Sequence, residues 1–596
     1  MIKTACPLDC YDACAITCDP ERVDSLVATP SHPVGNGALC IHMNRNFPRS
    51  RKLSSARVGG REVELEEALD AAAAAIGDGK TLLYRGSGNL GVMQSVSNLL
   101  IERVGGTLTH GSLCDGAGQA GIEAGRGVHR QLPLSQIAKA DVIVVWGRNL
   151  TVTNSHIMPF IEGKKVVVID PVRTPIARKA HLHIQLKPRS DFYLAIMLAR
   201  FIIMEDAQND EWLERMGLDI EDFYDFTRSF RIKAILEYMG LSLDDMGDLL
   251  NYLQSGRVVF LVGNGVQKYS IGHYVLWAID SLAATLGLFG EEGCGVSYLG
   301  MSRLGFDDPF AVKVPTVSAV DTPFHDFDTV LVQGANPAES MPDTARVLES
   351  LSKVRKLIYF GLYENATSRL ADIVIPAATF LEKNDLRLSY GHHIVTPMPA
   401  IADSAGGISE YDFCNAILTR LGKERLESEE SYLNRWLKQC RREGEYYHLP
   451  SHEEIPYRDG FGEDGDEEFE FIDDFDDDFE DIRRFRKAGR VKSEEDREDF
   501  YLVTPKASHS LNTQFANSSY VHLPPSAGFA EKERVRVFSD YGSSEFEVRV
   551  DDSLRDDTVL IYAGSEGVNF LTPSIVSQEG GNACYQEVKV RLERVE

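Results

Sequence analysis

The sequence predicts a multidomain α/β protein: two doubly wound αβα domains with parallel sheets, a small cysteine-rich domain before them and a C-terminal β-barrel after them. Three observations carry this expectation. Beyond residue 60, apolar strand-like runs alternate with amphipathic stretches. Four cysteines crowd the first eighteen residues, and the last hundred or so residues break into short strands separated by turns. A chain of 596 residues exceeds what one core can hold, so roughly three to five domains are expected.

The N-terminal region contains CPLDCYDACAITC and, further on, HPVGNGALC. Cys6, Cys10 and Cys14 follow a C-x3-C-x3-C spacing, and Cys40 comes 26 residues later. Three thiolates close in sequence and one distant is a common way to wrap an iron–sulfur cubane, since each iron needs a ligand and the chain must return. Zinc is the alternative, although structural zinc sites usually pair two C-x2–4-C knuckles and no second knuckle is present. Unliganded buried cysteines are the third reading. Cys18 extends the same step and competes with Cys14, but AITCDPERVDSLVAT reads as a hairpin turning at Asp19–Glu21, which makes Cys18 a strand residue.

Six strands stand out in the body: residues 81–87, 141–147, 165–170, 257–263, 329–334 and 356–361. Stretches such as 191–206 between them read as covering helices, and ligands of such sheets gather at the carboxyl ends of the strands. Those ends have suitable chemistry. WGRN presents Gly147 and Asn149, VGNGVQ presents Gly263 and Gln267, and QGANPAES presents Gly334, Asn336, Pro337 and Ser340. Glycine lets the backbone approach a phosphate, and the helix that follows offers free N–H groups. One such loop is weak evidence; three, with IDPVRT and LKPRSD, are harder to dismiss.

The formal charge of −28 argues against nucleic acid or an anionic membrane surface as partner. No run approaches the ~18 apolar residues of a membrane span. No basic or apolar leader precedes Cys6, so the expected compartment is the cytoplasm. From Glu453 to Asp481 more than half the residues are acidic, which reads as a solvated insertion within residues 451–498. The aromatics interleaved there leave open a docking role.

CPLDCYDAC followed by SHPVGNGALC resembles the start of the molybdopterin oxidoreductases of the dimethyl sulfoxide reductase family. The resemblance implies a [4Fe–4S] domain over residues 1–55 with Cys6, Cys10, Cys14 and Cys40 as cluster ligands. It further implies a bis-(molybdopterin guanine dinucleotide) centre of molybdenum or tungsten. A pterin-binding αβα domain would comprise 56–135 and 325–450, a Rossmann-like domain 136–324, and a dinucleotide-binding barrel 499–596. On the same basis Asp170 and Asp191 read guanine or ribose edges, and Arg173 and Arg189 offset phosphate charge. In the barrel Thr504, Lys506, His509, Asn512 and Asn517 contact pyrophosphate or pterin.

Cys114, in GSLCDGAGQAG, matches the family's metal-ligating position; taken alone it would read as a small buried hydrophobe. Formate dehydrogenases of the family place histidine directly after that ligand, whereas here it is Asp115. The nearer analogues are the thiosulfate and polysulfide reductases and the periplasmic-type nitrate reductases. Members usually carry a lysine two residues after the last cluster cysteine; here that position is His42, a hydrogen-bonding group whose charge varies near neutral pH. Residues 369–393 match a segment along the metal pocket, where His392 and His393 read either as an acid/base set or as cofactor-lining groups.

The implied reaction is a two-electron reduction of a small sulfur or oxyanion substrate, with a separate electron-carrier protein or subunit. Formate oxidation is the alternative enzyme, and a non-catalytic electron-transfer subunit is the alternative of another class.

Overall fold

A computed structural model of the chain describes residues 1–35, 37–474, 499–515 and 518–595. Ile2–Ala5, Ala15–Asp19 and Arg22–Ala28 form an antiparallel sheet, and the loop carrying Cys6, Cys10 and Cys14 joins its first two strands. Cys18 is a strand residue of the expected hairpin, buried with its Sγ toward the carbonyls of Asp19 and Val23.

The larger central sheet contains six parallel strands, which in chain order are Thr81–Arg85, Thr107–His110, Thr316–Ser318, Thr329–Gln333, Lys356–Gly361 and Ile373–Pro376. Their spatial order is 3-2-1-4-5-6, with an antiparallel pair, Ala56–Val58 and Arg61–Val63, at one edge. This doubly wound order changes direction between Thr81–Arg85 and Thr329–Gln333. The second sheet is wholly parallel, running Leu182–Ile184, Lys165–Ile169, Val142–Trp146, Val258–Val262, Gly295–Ser297, and it reverses between Val142–Trp146 and Val258–Val262. The inner strands are apolar and buried along their whole length because helices cover both faces. Gly272–Thr285 packs against Ala117–Arg126 and against Asp191–Met204, whose apolar residues lie on nearly every side.

The six expected strands are all present. The shorter ones, such as Thr107–His110 and Gly295–Ser297, carry too few apolar residues to stand out from a sequence. Residues 500–594 form a closed barrel of six strands. Among the described residues no helix is long and apolar enough to cross a membrane.

The acidic run differs from expectation. Residues 475–498 lie outside the described residues, but 453–474 is packed rather than solvated. Tyr457, Phe461, Phe469, Phe471 and Ile472 are buried in the core of the second sheet's domain. Phe469–Glu470 pairs with Gly217–Leu218, and the Phe469 ring stacks on Phe289 at 5.7 Å. Arg130 donates to the carbonyls of Gly462 and Glu463, while Tyr457 Oη donates to Val128 O at 2.8 Å. Acid density therefore misled: the carboxylates stay outside while the interspersed aromatics enter the core. Close by, Arg126 and Asp280, both fully buried, form a bidentate ion pair, and the guanidinium lies 4.7 Å from the Phe289 ring.

Phe461→Ala is expected to cost about 3–5 kcal/mol by leaving a cavity in this core. The loss would appear as a lower thermal unfolding midpoint and faster amide exchange in Gly272–Thr285. A loss below about 0.5 kcal/mol, the range of a surface substitution, would return the segment to a solvated linker.

Candidate active site

Both sheet reversals open into one cavity of about 1520 Å³. That exceeds the ~300–1,000 Å³ of most small-molecule pockets. At the first reversal Gly86 and Gly88 meet Gly334, and a Cβ at Gly88 would lie 2.5 Å from Gly334 O. At the second Gly147 meets Gly263, where a Cβ would lie 2.3 Å from Gly147 O. Gly147 and Gly334 also have φ near +58° and +56°, which disfavours any side chain. Bare backbone at two crevices, both facing the same space, suits two phosphate-bearing ligands bound side by side.

Cys6, Cys10, Cys14 and Cys40 line one wall of this cavity, whereas Cys18 does not. Cys6 N donates to Cys14 O at 2.9 Å, closing the loop, and the buried Arg387 guanidinium donates to the carbonyls of Cys6 (3.0 Å) and Leu8 (2.9 Å). Asp12 accepts from His156 Nδ1 at 2.7 Å and from Asn154, and a ring nitrogen of His156 lies 3.7 Å from Cys14 Sγ. Burial, reinforced by Cys40, pushes the Cys6 thiol up to about 12, and burial likewise raises Cys10, Cys14 and Cys40. Four thiols along one cavity wall, each held protonated by burial, become thiolates when a cationic centre binds them, so the donor set fits a thiolate-bound cluster.

Cys114 also faces the cavity, in the loop between Thr107–His110 and Ala117–Arg126. Its backbone is fixed on several sides. Cys114 N donates to Ser112 Oγ at 2.9 Å, and Cys114 O accepts from Gln267 Nε2 at 2.9 Å and from Lys268 Nζ. Asn264 Nδ2 donates to Cys114 Sγ at 3.1 Å, leaving its own buried Oδ1 unpartnered. Burial raises the thiol's pKa against the opposing charges of Lys268 and Lys506. Burial pulls Lys506 down, but Asp9, Cys114 and Cys10 outweigh it and keep the ammonium charged. One cation therefore senses both sulfur centres.

The remaining expected residues divide. His42, Asn149, Asp170, Arg173, Asp191, Asn336, Ser340, Thr504 and Asn512 line the cavity together with the glycines. Burial pushes Asp170 up to about 7, with Asp191 adding to it, and pushes Asp191 up to about 6 despite the 2.7 Å bond from Trp146 Nε1. Two buried acceptors of this kind are suited to the donor edge of a guanine. His42 stacks on Phe515 at 5.5 Å, and burial with nearby His509 lowers its pKa.

Several expected residues do not reach the cavity. Gln267 is fully buried and acts on the Cys114 backbone instead. Pro337 begins the short helix Pro337–Ser340, its ring inside the fold, and His509 turns its ring toward Tyr562. Arg189 pairs with Glu587 at 2.6 Å. Asn517 lies outside the described residues. His392 is buried with Nε2 donating to Asp12 O at 2.9 Å, bracing the cysteine loop. His393 is also off the cavity, with burial and its neighbours His452 and His448 pulling it down to about 3.

Tyr390, in the segment 369–393 expected along the metal pocket, does line the cavity, and so do Asp9 and Arg148, which the sequence had not singled out. Tyr390 Oη donates to Asp9 Oδ1 at 3.2 Å, and the Arg148 guanidinium lies 4.3 Å from the Tyr11 ring with its Nη1 buried and unpartnered. Arg148 lies inside the WGRN motif and Asp9 inside the cysteine motif, so position within a motif was the available signal. Asp115 points away, accepting from Tyr298 Oη at 2.8 Å.

Residues 57–410 match the molybdopterin oxidoreductase family, and residues 526–589 match the molydopterin dinucleotide binding domain. The probable oxidoreductase YyaE of Bacillus subtilis (strain 168) is 25% identical over 495 residues, 73% of this chain and 73% of that protein. The dimethyl sulfoxide/trimethylamine N-oxide reductase of Cereibacter sphaeroides is 25% identical over 312 residues, 44% of this chain and 38% of the reductase. Among solved structures, acetylene hydratase from Pelobacter acetylenicus shares the fold with a TM-score of 0.75, at 12% identity and 100% coverage of both chains. With more than half its length matched and a cavity suited to two dinucleotides, the chain belongs to the molybdopterin oxidoreductase family.

Proposed function

We propose that this enzyme reduces a small sulfur or oxyanion substrate by two electrons at a molybdenum or tungsten centre. Cys114 and two molybdopterin guanine dinucleotides would hold the metal, and Cys6, Cys10, Cys14 and Cys40 would hold a [4Fe–4S] cluster beside it. The observation that carries this reading is the junction of both sheet reversals in one cavity, with Cys114 and the four-thiol wall facing it. When bound, the metal centre supplies two-electron chemistry and the cluster single-electron relay.

The chain's own residues then have distinct roles. The Asn264 amide and the Lys268 ammonium hold the Cys114 thiolate and its backbone in one orientation. Asp170 and Asp191 would accept from guanine edges, and Arg173 would offset phosphate charge. Asp9 and Tyr390 form a hydrogen-bonded pair facing the cavity, able to pass a proton to a reduced substrate. Asp115, bonded to Tyr298, stands where the family's formate dehydrogenases carry histidine, which favours substrate reduction over formate oxidation.

Lys506 would place positive charge beside both the cluster and the metal centre when they are bound, favouring their reduced forms. Cys40 is partly exposed, with Ala38 and Ile41 at the surface beside it, which suits docking of a separate carrier protein or subunit. A cytoplasmic setting belongs to the same reading, because clustered cysteines in a long chain there suit metal rather than disulfides.

Cys114→Ala is expected to abolish viologen-coupled reduction of thiosulfate, polysulfide, nitrate or an N- or S-oxide while leaving the iron–sulfur absorption unchanged. Unaltered turnover would remove Cys114 from the metal. For His42→Lys, stopped-flow reoxidation of the reduced enzyme should show the same or a faster transfer rate, because Lys506 already provides the charge that a lysine would add. A large loss would assign the imidazole a role of its own.

A further inference from the structure

Three histidines outside the cavity converge where two strands and a turn meet. His393 precedes the strand Ile394–Met398, His448 ends Tyr446–His448, and His452 lies in the turn that follows. One ligating nitrogen from each lies within 4.8 Å of the other two. The His393 and His452 rings stack at 3.5 Å between centroids with planes 14° apart, and His448 sits 4.8 Å from His393.

Backbone bonds set this arrangement. Ile394 pairs with His448 across the sheet, Leu449 N donates to His393 O at 2.8 Å, and His452 N donates to Leu449 O at 3.1 Å. His448 is only 9% exposed, yet its Nδ1 is buried with no hydrogen-bond partner. An unpaired buried nitrogen costs about 1–3 kcal/mol, and a core packed for its own sake would not place two further imidazoles against it.

We propose that His393, His448 and His452 bind one divalent transition-metal ion of the zinc class, at a site separate from the redox centres. Three neutral imidazoles suit zinc, nickel or copper and discriminate against magnesium and calcium, which take oxygen ligands. Zinc–nitrogen bonds of about 2.0–2.1 Å require the rings to close inward, and His452, on a turn, is the one with freedom to move. His393 and His452 are partly exposed, so the ion has a path in and a fourth position open to water.

The bound ion would tie the strand after Tyr390 to the hairpin Arg441–His448 and to the turn leading into the packed segment 453–474. It acts as a structural clip, independent of the reaction assigned above.

The test is zinc uptake by the full untagged protein after removal of loose divalent ions, read by equilibrium dialysis with elemental analysis. The expected result is one zinc per chain, an affinity at least tenfold weaker in both His448→Ala and the partly exposed His452→Gln, and no change in His325→Ala. Zinc should raise the thermal midpoint of the parent protein but not that of His452→Gln. No uptake by the parent, or equal uptake by His452→Gln, would overturn the proposal whatever the state of the molybdenum centre.

Discussion

Nothing larger than hydrogen fits on Gly263, because a Cβ there would reach 2.3 Å from the carbonyl oxygen of Gly147, and Gly88 meets Gly334 in the same way. These two close approaches occur where each parallel sheet reverses its winding. At such points neighbouring loops diverge to opposite faces and leave a crevice at the strand ends. Bare backbone keeps each crevice shallow enough for a phosphate to touch peptide N–H groups. Because the two sheets aim their crevices at one volume, the cavity has room for two extended ligands side by side.

The charged groups follow from that geometry. Once two dinucleotides and a metal define the interior, each charge there needs a partner with little help from water. Asp9 helps hold Lys506 protonated, while burial pushes Asp170 and Asp191 upward. The unpartnered atoms of Asn264 and Arg148 face the same need. Buried polar atoms without partners are costly, and those of Asn89, Arg148 and Asn264 lie on residues that line this cavity.

The fold was legible wherever burial on both faces wrote long apolar runs, as in VIVVW and VVFLV, and hidden where short strands such as Thr316–Ser318 owe their place to neighbours. The glycine loops and the four spaced cysteines come together around one cavity, because backbone approach and thiol spacing leave marks in the order of residues. The histidine pair at 392 and 393 did not behave as its residue type promised. Which way a side chain faces depends on register against other strands, and register placed His392 behind the cysteine loop. Phe461 and Phe469 were misjudged for a related reason: local acid density says little about where an aromatic between the acids will pack.

The central claim, that one cavity joins two dinucleotides and a metal to a thiolate-bound cluster, is tested most directly by the composition of the purified protein. Elemental analysis together with nucleotide release is expected to find molybdenum or tungsten, the two guanine nucleotides of a bis-dinucleotide cofactor, and iron and sulfide in the proportion of one [4Fe–4S] cluster per chain. Iron without molybdenum, tungsten or pterin would contradict the account.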